Sequence, residues 1–417
     1  MKTSSPIKNK QTGTRPNNGG IPEGWEEPAF GEMAELIKAG YQPTGNDNFA
    51  YIGLEHINQQ TLSLNSVGHS TDVGSNKFAF RSGDILFGKL RPYFRKLYRP
   101  RFDGVCSTDI WIVRAKQEID QGYLFYLMAS EKFVELATSG SSGTRMPRAD
   151  WNYLKGTRWN KPPKNEQHAI AKILSDLDAK IELNHQMNKT LEQIAQAIFK
   201  QWFVDFEFPG HEKTKFVNDL PEGWGQGIIK ECCLDVKNGG TPRRDQQRFW
   251  DGGNIPWLTS GEVRQPIITS TDNFITEEGM IESSAKWVEP FSVVVALYGA
   301  TAGQVSLIST KLTTNQAVCS LIPKNNFAFF NYLWMRNAVG ELENKAVGSA
   351  QQNISKAIVE ETIVMIPLIS VLEQFDGAVR PIFLKWIQNI DESKMLAKIR
   401  DSLLPRLMSG KIRVNPQ

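Results

Sequence analysis

The chain has 417 residues, 40% of them apolar and 22% charged, with a formal net charge of +3. That length supports two to three domains, each with its own core, and the balance is that of an ordinary soluble protein. A charge this small points to no partner by itself. The four cysteines, Cys106, Cys232, Cys233 and Cys319, include an adjacent pair and no CxxC spacing. This argues against a zinc site or a disulfide framework and fits a reducing cytoplasm. No apolar run approaches a membrane span, and the longest strand-like one, Val293 to Leu297, reads as a buried β-strand.

Residues 1–20 hold Lys2, Lys8, Lys10 and Arg15, with no acid and no apolar run, and read as a disordered basic tail rather than a signal peptide. "IPEGW" follows at 21–25. From there to about residue 160, short β-branched runs ("AYIGL", "DILF", "IWIV") alternate with Gly, Pro, Asn and Ser clusters, the pattern of strands and loops. Residues 77–101 concentrate charge. Lys77, Arg81, Lys89, Arg91, Arg95, Lys96, Arg99 and Arg101 face only Asp84, a net +7, and Tyr93, Phe94 and Tyr98 interleave. Such a stripe suits phosphate neutralisation, and Arg is the commonest reader of guanine. The alternative is an edge strand kept from aggregating by its cations. "GYLFYLMASEKFVELAT" (122–138) predicts a helix. "GTRMPR" (143–148) then adds Arg145 and Arg148. Pro162 and Pro163 precede a run without Pro or Gly from about Asn165 to Phe203, and Pro209–Gly210 follow it, so a long helix is expected there.

"LPEGW" at 220–224 begins the same series again, 199 residues on. "YIGLEHI" (51–57) matches "WLTSGEV" (257–263), and "DILFGKLRPYFRK" (84–96) matches "SVVVALYGATAGQ" (292–304). "STD" (107–109) falls on "TTN" (313–315), and the 143–163 segment falls on 348–368. A second helix is expected at 329–344. A drifting offset of 205–208 fits small loop insertions, so the chain is a tandem duplication of about two hundred residues. The second copy carries Lys237, Arg243, Arg244 and Arg248 in a Gly-rich loop, Tyr298 after a strand, and "GSAQQNIS" (348–355) with Gln351, Gln352 and Asn353. Gln and Asn can bind adenine bidentately, although polar surface loops have the same composition.

The long helices carry heptads. Position a takes Ile170, Leu177, Asn184, Leu191 and Ile198, and position d takes Ile173, Lys180, Met187, Ile194 and Gln201. A shift of 205 gives Phe375, Ile382, Asn389, Leu396 and Leu403 at a, then Ala378, Lys385, Glu392, Ile399 and Arg406 at d. Both place Asn at the central a, a polar position that fixes register at a cost in stability. Pairing of the two helices as an antiparallel coiled coil is therefore expected, with Asn184 near Asn389 and Leu191, Leu396, Ile194 and Ile399 in the seam. The alternative is that each helix covers its own domain. Pro405 is expected to break the second helix near its end.

The five histidines form no HExxH or Cys-paired metal spacing, and neither a P-loop nor a dinucleotide fingerprint is present. "NKPP" (160–163) departs from an amino-methyltransferase tetrapeptide through Lys161.

The chain resembles the specificity subunits of type I restriction–modification systems. The resemblance rests on the tandem arrangement, on Pro162, Pro163, Glu166 and Gln167 at the helix start, on "QAIFKQWFVDFEF" (196–208), and on "IPEGW", "LPEGW" and "NIPWLTSGEV" (254–263). The second helix start departs, with Ile366–Pro367 for the double proline and Leu372 before Glu373–Gln374, which shifts the expected first turn. The resemblance implies an α+β fold of two mixed target-recognition domains, 21–160 and 220–363, each followed by a spacer helix, 161–208 and 367–412. Each domain would read one half of a split target in double-stranded DNA. The helices would set the gap and dock two methyltransferase (modification) subunits, which restriction/translocase subunits join. The chain itself would be non-catalytic, cytoplasmic and free of cofactors, with S-adenosylmethionine, ATP and Mg on partner chains, in a system of phage defence. The candidate DNA contacts are Lys89, Arg91, Tyr93, Arg95, Lys96, Arg145 and Arg148 in the first repeat. In the second they are Arg243, Arg244, Tyr298, Gln351, Gln352 and Asn353. The rival readings are a nuclease or DNA-modifying enzyme whose site assembles in space, and a structural coiled-coil adaptor.

Overall fold

The repeated pentapeptide folds the same way twice. The computed structural model describes residues 21–44, 47–143, 145–345 and 353–414, so the basic tail at 1–20 lies outside the described residues. The Trp25 N–H donates to Pro22 O and the Trp224 N–H to Pro221 O, each at 3.0 Å. Between them Gly24 and Gly223 sit at φ +78° and +85°, where an L side chain costs about 1–2 kcal/mol. The echoed word encodes a tight turn whose glycine is needed at each copy.

The chain forms two compact units, one of residues up to Glu182 together with those from Ser393, the other Leu183–Glu392. In the first unit, a four-stranded sheet has the spatial order Ala34–Ile37, Ile110–Ala115, Ile85–Gly88, Leu97–Tyr98. A five-stranded sheet has the order Gly40–Tyr41, Lys77–Phe80, Gly104–Cys106, Ala50–Ile52, Gly68–His69, with Ala50–Ile52 parallel to Gly104–Cys106. The second unit repeats this plan. One sheet runs Cys233–Asn238, Val318–Pro323, Val293–Ala296, Val305–Ile308, Ile267–Ile268. A second sheet runs Asn273–Ile275, Ile255–Leu258, Leu312–Thr314, Trp287–Val288, again with a parallel central pair. Three strands, Ile85–Gly88, Gly104–Cys106 and Ile110–Ala115, recur at both ends with a constant offset of 208. Their residues are almost all buried, which explains unbroken apolar words such as "VVVA" in place of alternation.

The expected helix at 122–138 is broken into Gln121–Ala129 and Glu131–Ser139. Ser130 is extended, and its Oγ accepts the Phe133 N–H at 3.3 Å, so it starts a new helix instead of continuing the old one. The 329–344 segment likewise divides into Ala328–Asn337 and Val339–Asn344.

The two long helices, Lys164–Phe203 and Ile369–Met408, have 40 residues each and correspond at both ends with an offset of 205. The second does not start out of step. Leu372, fully buried, stands where Gln167 stands in the first, and Glu373 and Gln374 are exposed. Nor does Pro405 end it. A proline removes a single helical N–H bond here, and buried Leu404 and Leu407 hold the last turn in place.

The buried stripe also differs from the expected seam. Ile170, Leu174, Asn184, Asn188, Ala195 and Trp202 are buried, as are Phe375, Val379, Trp386, Asn389, Ser393, Arg400 and Leu407. Leu191 and Leu396 are half-buried, but Ile194 and Ile399 are 42% and 39% exposed. In the predicted register these buried residues occupy a and e, so the expected a position serves as d. Weighting by apolarity favoured isoleucines over the alanine, asparagine and serine that the packed face holds. In the second unit Asn184 Nδ2 donates to Glu392 Oε2 at 2.9 Å and lies 3.5 Å from Asn389 O, and Asn389 Nδ2 donates to Asn188 Oδ1 at 2.9 Å. In the first unit the guanidinium of Arg400, 2% exposed, donates to Asp178 Oδ1 at 2.6 Å, and the Tyr126 hydroxyl donates to Asp178 Oδ2 at 2.6 Å.

Candidate nucleic-acid interface

In the first unit the interface grows from the end of strand Ile85–Gly88. The Lys89 N–H donates to Asp109 O (3.0 Å), the Ala149 N–H to Lys89 O (2.9 Å) and the Arg91 N–H to Pro147 O (2.8 Å). Residues 147–149 thus line up beside 89–91, with Leu90 opposite Arg148. On its other side Arg148 exchanges two backbone bonds with Ser142, at 3.0 and 3.1 Å. Ser142 and Arg148 thus stand on the two arms of a hairpin, with Gly143 at φ +91° and with Arg145 and Met146 exposed.

The stretch 91–95 bends sharply. Arg91 and Arg95 are left-handed, at φ 52° and 48°. In the second unit the positions 208 residues on are Gly299 and Gly303, at φ 81° and 86°. The first copy therefore pays a backbone strain of about 1 kcal/mol at each arginine that glycine avoids in the second. Backbone strain of this kind clusters at functional sites.

The two arginines play different parts. The Arg91 side chain is exposed and has no bonding partner among the described residues. The Arg95 side chain is 15% exposed, 3.8 Å from Asp401, and its Nε makes no hydrogen bond among the described residues. Burial lowers its pKa, and Asp401 partly restores it. Lys96 Nζ donates to Leu54 O at 2.5 Å, and its pKa is lowered by burial. Lys77, also buried, bonds Ser75 O at 2.8 Å. The stripe of net charge +7 is therefore not a continuous free surface. Arg81, Arg91, Arg99 and Arg101 are exposed, while Lys77, Arg95 and Lys96 serve the fold. Tyr93 is 43% exposed and packs edge-on to Phe94, ring centroids 4.7 Å apart.

Arg148 is held from the side. Its Nε donates to Asp109 Oδ1 at 3.2 Å, and Lys89 Nζ lies 4.0 Å from the same oxygen. Lys89 and Arg148 border a cleft of about 430 Å³ that also takes in Lys38, Thr108 and Trp151. Asp109 and Lys38 were not candidates from the sequence, because neither belongs to a charge run and "STD" (107–109) served only to align the repeats.

The second unit builds the same frame with other side chains. The Leu297 N–H donates to Ala317 O (2.8 Å), the Ile354 N–H to Leu297 O (2.9 Å), and Tyr298 faces Asn353. Leu297, Tyr298, Ala317 and Asn353 thus stand where Lys89, Leu90, Asp109 and Arg148 stand. Asp109 N–H bonds Ser107 Oγ at 3.3 Å, and Ala317 N–H bonds Asn315 Oδ1 at 3.1 Å, so Ser107 corresponds to Asn315. This moves the "STD"/"TTN" match by two residues, since three-residue polar words carry too little information to set an alignment. Tyr298 is half-buried against the core and Asn353 is exposed. Gln351 and Gln352 lie outside the described residues. Arg243 is paired with Asp245 at 2.9 Å, and the Arg244 guanidinium stacks 4.2 Å from the Trp250 ring centroid. With Gln247, Asn273 and Phe274, Arg244 and Trp250 line a shallow cavity of about 470 Å³.

All four cysteines are free and buried, with each thiol pushed up to about 12 by burial. Among the described residues no helix is long and apolar enough to cross a membrane, and no three of His, Cys, Asp and Glu cluster as metal ligands.

Residues 22–193 and 221–375 match the type I restriction modification DNA specificity domain. The chain is 26% identical over 461 residues to the HindI specificity subunit of Haemophilus influenzae, covering 93% of this chain and 99% of that one. It is 27% identical over 307 residues to the MjaIX specificity subunit of Methanocaldococcus jannaschii, covering 72% and 71%. Its fold is similar to the crystal structure of the type I restriction–modification S subunit from M. genitalium, with a TM-score of 0.60 at 17% identity, over 94% of this chain and 97% of that one.

Proposed function

We propose a function for a chain that belongs to the type I restriction modification DNA specificity domain family: it reads a split target in double-stranded DNA, one half with each repeat. Residues 21–160 and 220–363 act as the target-recognition domains. The observation that carries this reading is the shared frame. The same strand end and crossing segment carry Lys89, Asp109 and Arg148 in one repeat and the buried, apolar Leu297 and Ala317 with the exposed Asn353 in the other. A constant scaffold with exchanged side chains is what reading two different base sequences requires. The exposed Arg91 and the hairpin tip with Arg145 add phosphate contacts, and a two-stranded ribbon of this kind fits the major groove.

The long helices act as spacers that pair antiparallel and set the gap between half-sites. Support comes from Asp178 with Arg400, Asn184 with Glu392 and Asn188 with Asn389, where numbers rise on one helix as they fall on the other. Buried asparagines fix the register of such pairs. The helices also dock two methyltransferase (modification) subunits, and restriction/translocase subunits join through them. The chain itself is non-catalytic and cytoplasmic, and S-adenosylmethionine, ATP and Mg act on the partner chains.

The test is duplex binding by the purified chain across a salt series. Each phosphate contact contributes about 0.9 to the slope of log affinity against log salt. The double variant Arg91→Ala/Arg145→Ala is expected to flatten that slope by about two. A chain that binds no duplex at low salt would overturn the reading.

A further inference from the structure

We propose that Arg148, held by Asp109, reads a guanine in the half-site of the first domain, and that Asn353 reads an adenine at the equivalent step of the second half-site. This rests on the DNA-reading function above and assigns the bases that the two domains read. The chemistry follows from where Asp109 grips. A guanidinium has five N–H donors in a rigid fork. Asp109 takes the Nε donor, at 3.2 Å, and among the described residues both terminal nitrogens are free. Those two suit the paired O6 and N7 acceptors on the major-groove edge of guanine. The Arg148 side chain is 45% exposed and the Asp109 side chain 29%, so the fork is anchored at its base and open at its tip.

A phosphate contact fits the same group poorly. It would bring an anion toward the Asp109 carboxylate, and it needs no anchored donor geometry. The guanine edge is a neutral acceptor pair, and telling it from the other bases requires donors that stay in place. Exposed Arg91 and Arg145, which have no acid beside them among the described residues, are the phosphate partners by the same logic.

The second repeat supports the assignment independently. Where Asp109 becomes Ala317, Arg148 becomes Asn353. The carboxylate and the cation it holds are both missing from that copy. The replacement at the reading position is a side-chain amide, with one donor and one acceptor group that match N6 and N7 of adenine. Asn353 faces Tyr298 across the backbone bridge as Arg148 faces Leu90, so both side chains leave the same rung of the frame.

The experiment is selection of bound duplexes from a randomised pool by the full chain purified with its methyltransferase subunits. It is repeated with Arg148→Ala, Arg148→Gln and the double variant Ala317→Asp/Asn353→Arg. The unaltered complex is expected to select a two-part sequence; a pool without any two-part preference refutes the function itself. Arg148→Ala is expected to lose preference at one G·C position of one half-site, by about five- to 150-fold, with every other position kept. Arg148→Gln should move that position toward adenine, and the double variant should exchange an A·T preference for G·C in the other half. A two-part sequence that stays unchanged in Arg148→Ala, with affinity reduced equally for all duplexes, makes Arg148 a phosphate contact and overturns the assignment. Should Arg148→Ala fail to fold, Arg148→Gln decides alone, and an unchanged preference overturns the assignment there too.

Discussion

Replacing Arg413 with alanine tests what anchors the start of the first long helix. Glu166, in the first turn, is 4% exposed. Its carboxylate accepts from Arg413 Nε at 2.8 Å and from a second Arg413 nitrogen at 2.9 Å, from Trp25 Nε1 at 3.0 Å and from the Val414 N–H at 3.3 Å. Burial pushes this carboxyl's pKa up, but the bonds from Arg413, Trp25 and Val414 outweigh it and hold it below the usual range. Removing Arg413 leaves a buried carboxylate with two weaker donors. Breaking a fully buried ion pair in this way costs about 3–5 kcal/mol. The Arg413 side chain is 43% exposed, so water takes over part of its role, and a loss of about 2 kcal/mol is expected. For a unit of roughly 200 residues that lowers its melting temperature by about 4–8 °C.

The sign of the pH dependence follows from the depressed pKa. The contribution of Glu166 is fully present above the unfolded carboxylate value of about 4.3 and is lost as pH falls through the folded value. The gap between the wild-type chain and Arg413→Ala should therefore close on acidification. Arg413 also lies 5.4 Å from the Trp25 ring centroid, and loss of that contact does not depend on carboxylate charge. Thermal unfolding of the wild type, Arg413→Ala, Glu166→Gln and the double variant, at pH 7 and toward pH 3, separates the two terms. A change under 0.5 kcal/mol at pH 7, or a gap equally wide at both pH values, would refute the reasoning.

Arg91→Gly should leave stability unchanged or raise it by up to about 1 kcal/mol, because it relieves the left-handed strain, while weakening duplex binding. Parallel denaturant titration and DNA binding check both halves of that expectation. Arg400→Ala removes a buried partner of Asp178 and should cost about 2–3 kcal/mol in chemical denaturation, whereas a near-neutral result would show that the pair adds nothing. A four-residue insertion after Lys189 lengthens that helix by about 6 Å, a little under two base pairs. As a stutter it should preserve pairing with local unwinding, so methylation mapping should show a wider gap between unchanged half-sites. An unchanged gap with altered base preference would remove the helices from the spacing role.

The sequence by itself determined what is local or repeated. The turn in "IPEGW" and "LPEGW" rests on three or four adjacent residues and a glycine that must be left-handed. The ends of Lys164–Phe203 follow from prolines and periodicity, and the duplication follows from comparing the chain with itself. The Pro162, Pro163, Glu166 and Gln167 motif could be recognised, but its purpose could not. Gln167 binds Asp120 N–H and the carbonyls of Glu118 and Pro162, and Glu166 binds Trp25 and Arg413, far away along the chain. Only the tertiary structure decided which cations are free. Arg95 turns inward to Asp401, 306 residues away, and Arg148 is anchored by Asp109, 39 residues away. It also decided which side of each helix is buried, where Ala195 and Ser393 are packed while Ile194 and Ile399 face out. Charge and apolarity are properties of single residues. Whether a charge meets an acid, or a small side chain lets another backbone come close, depends on surfaces that distant parts of the chain bring together.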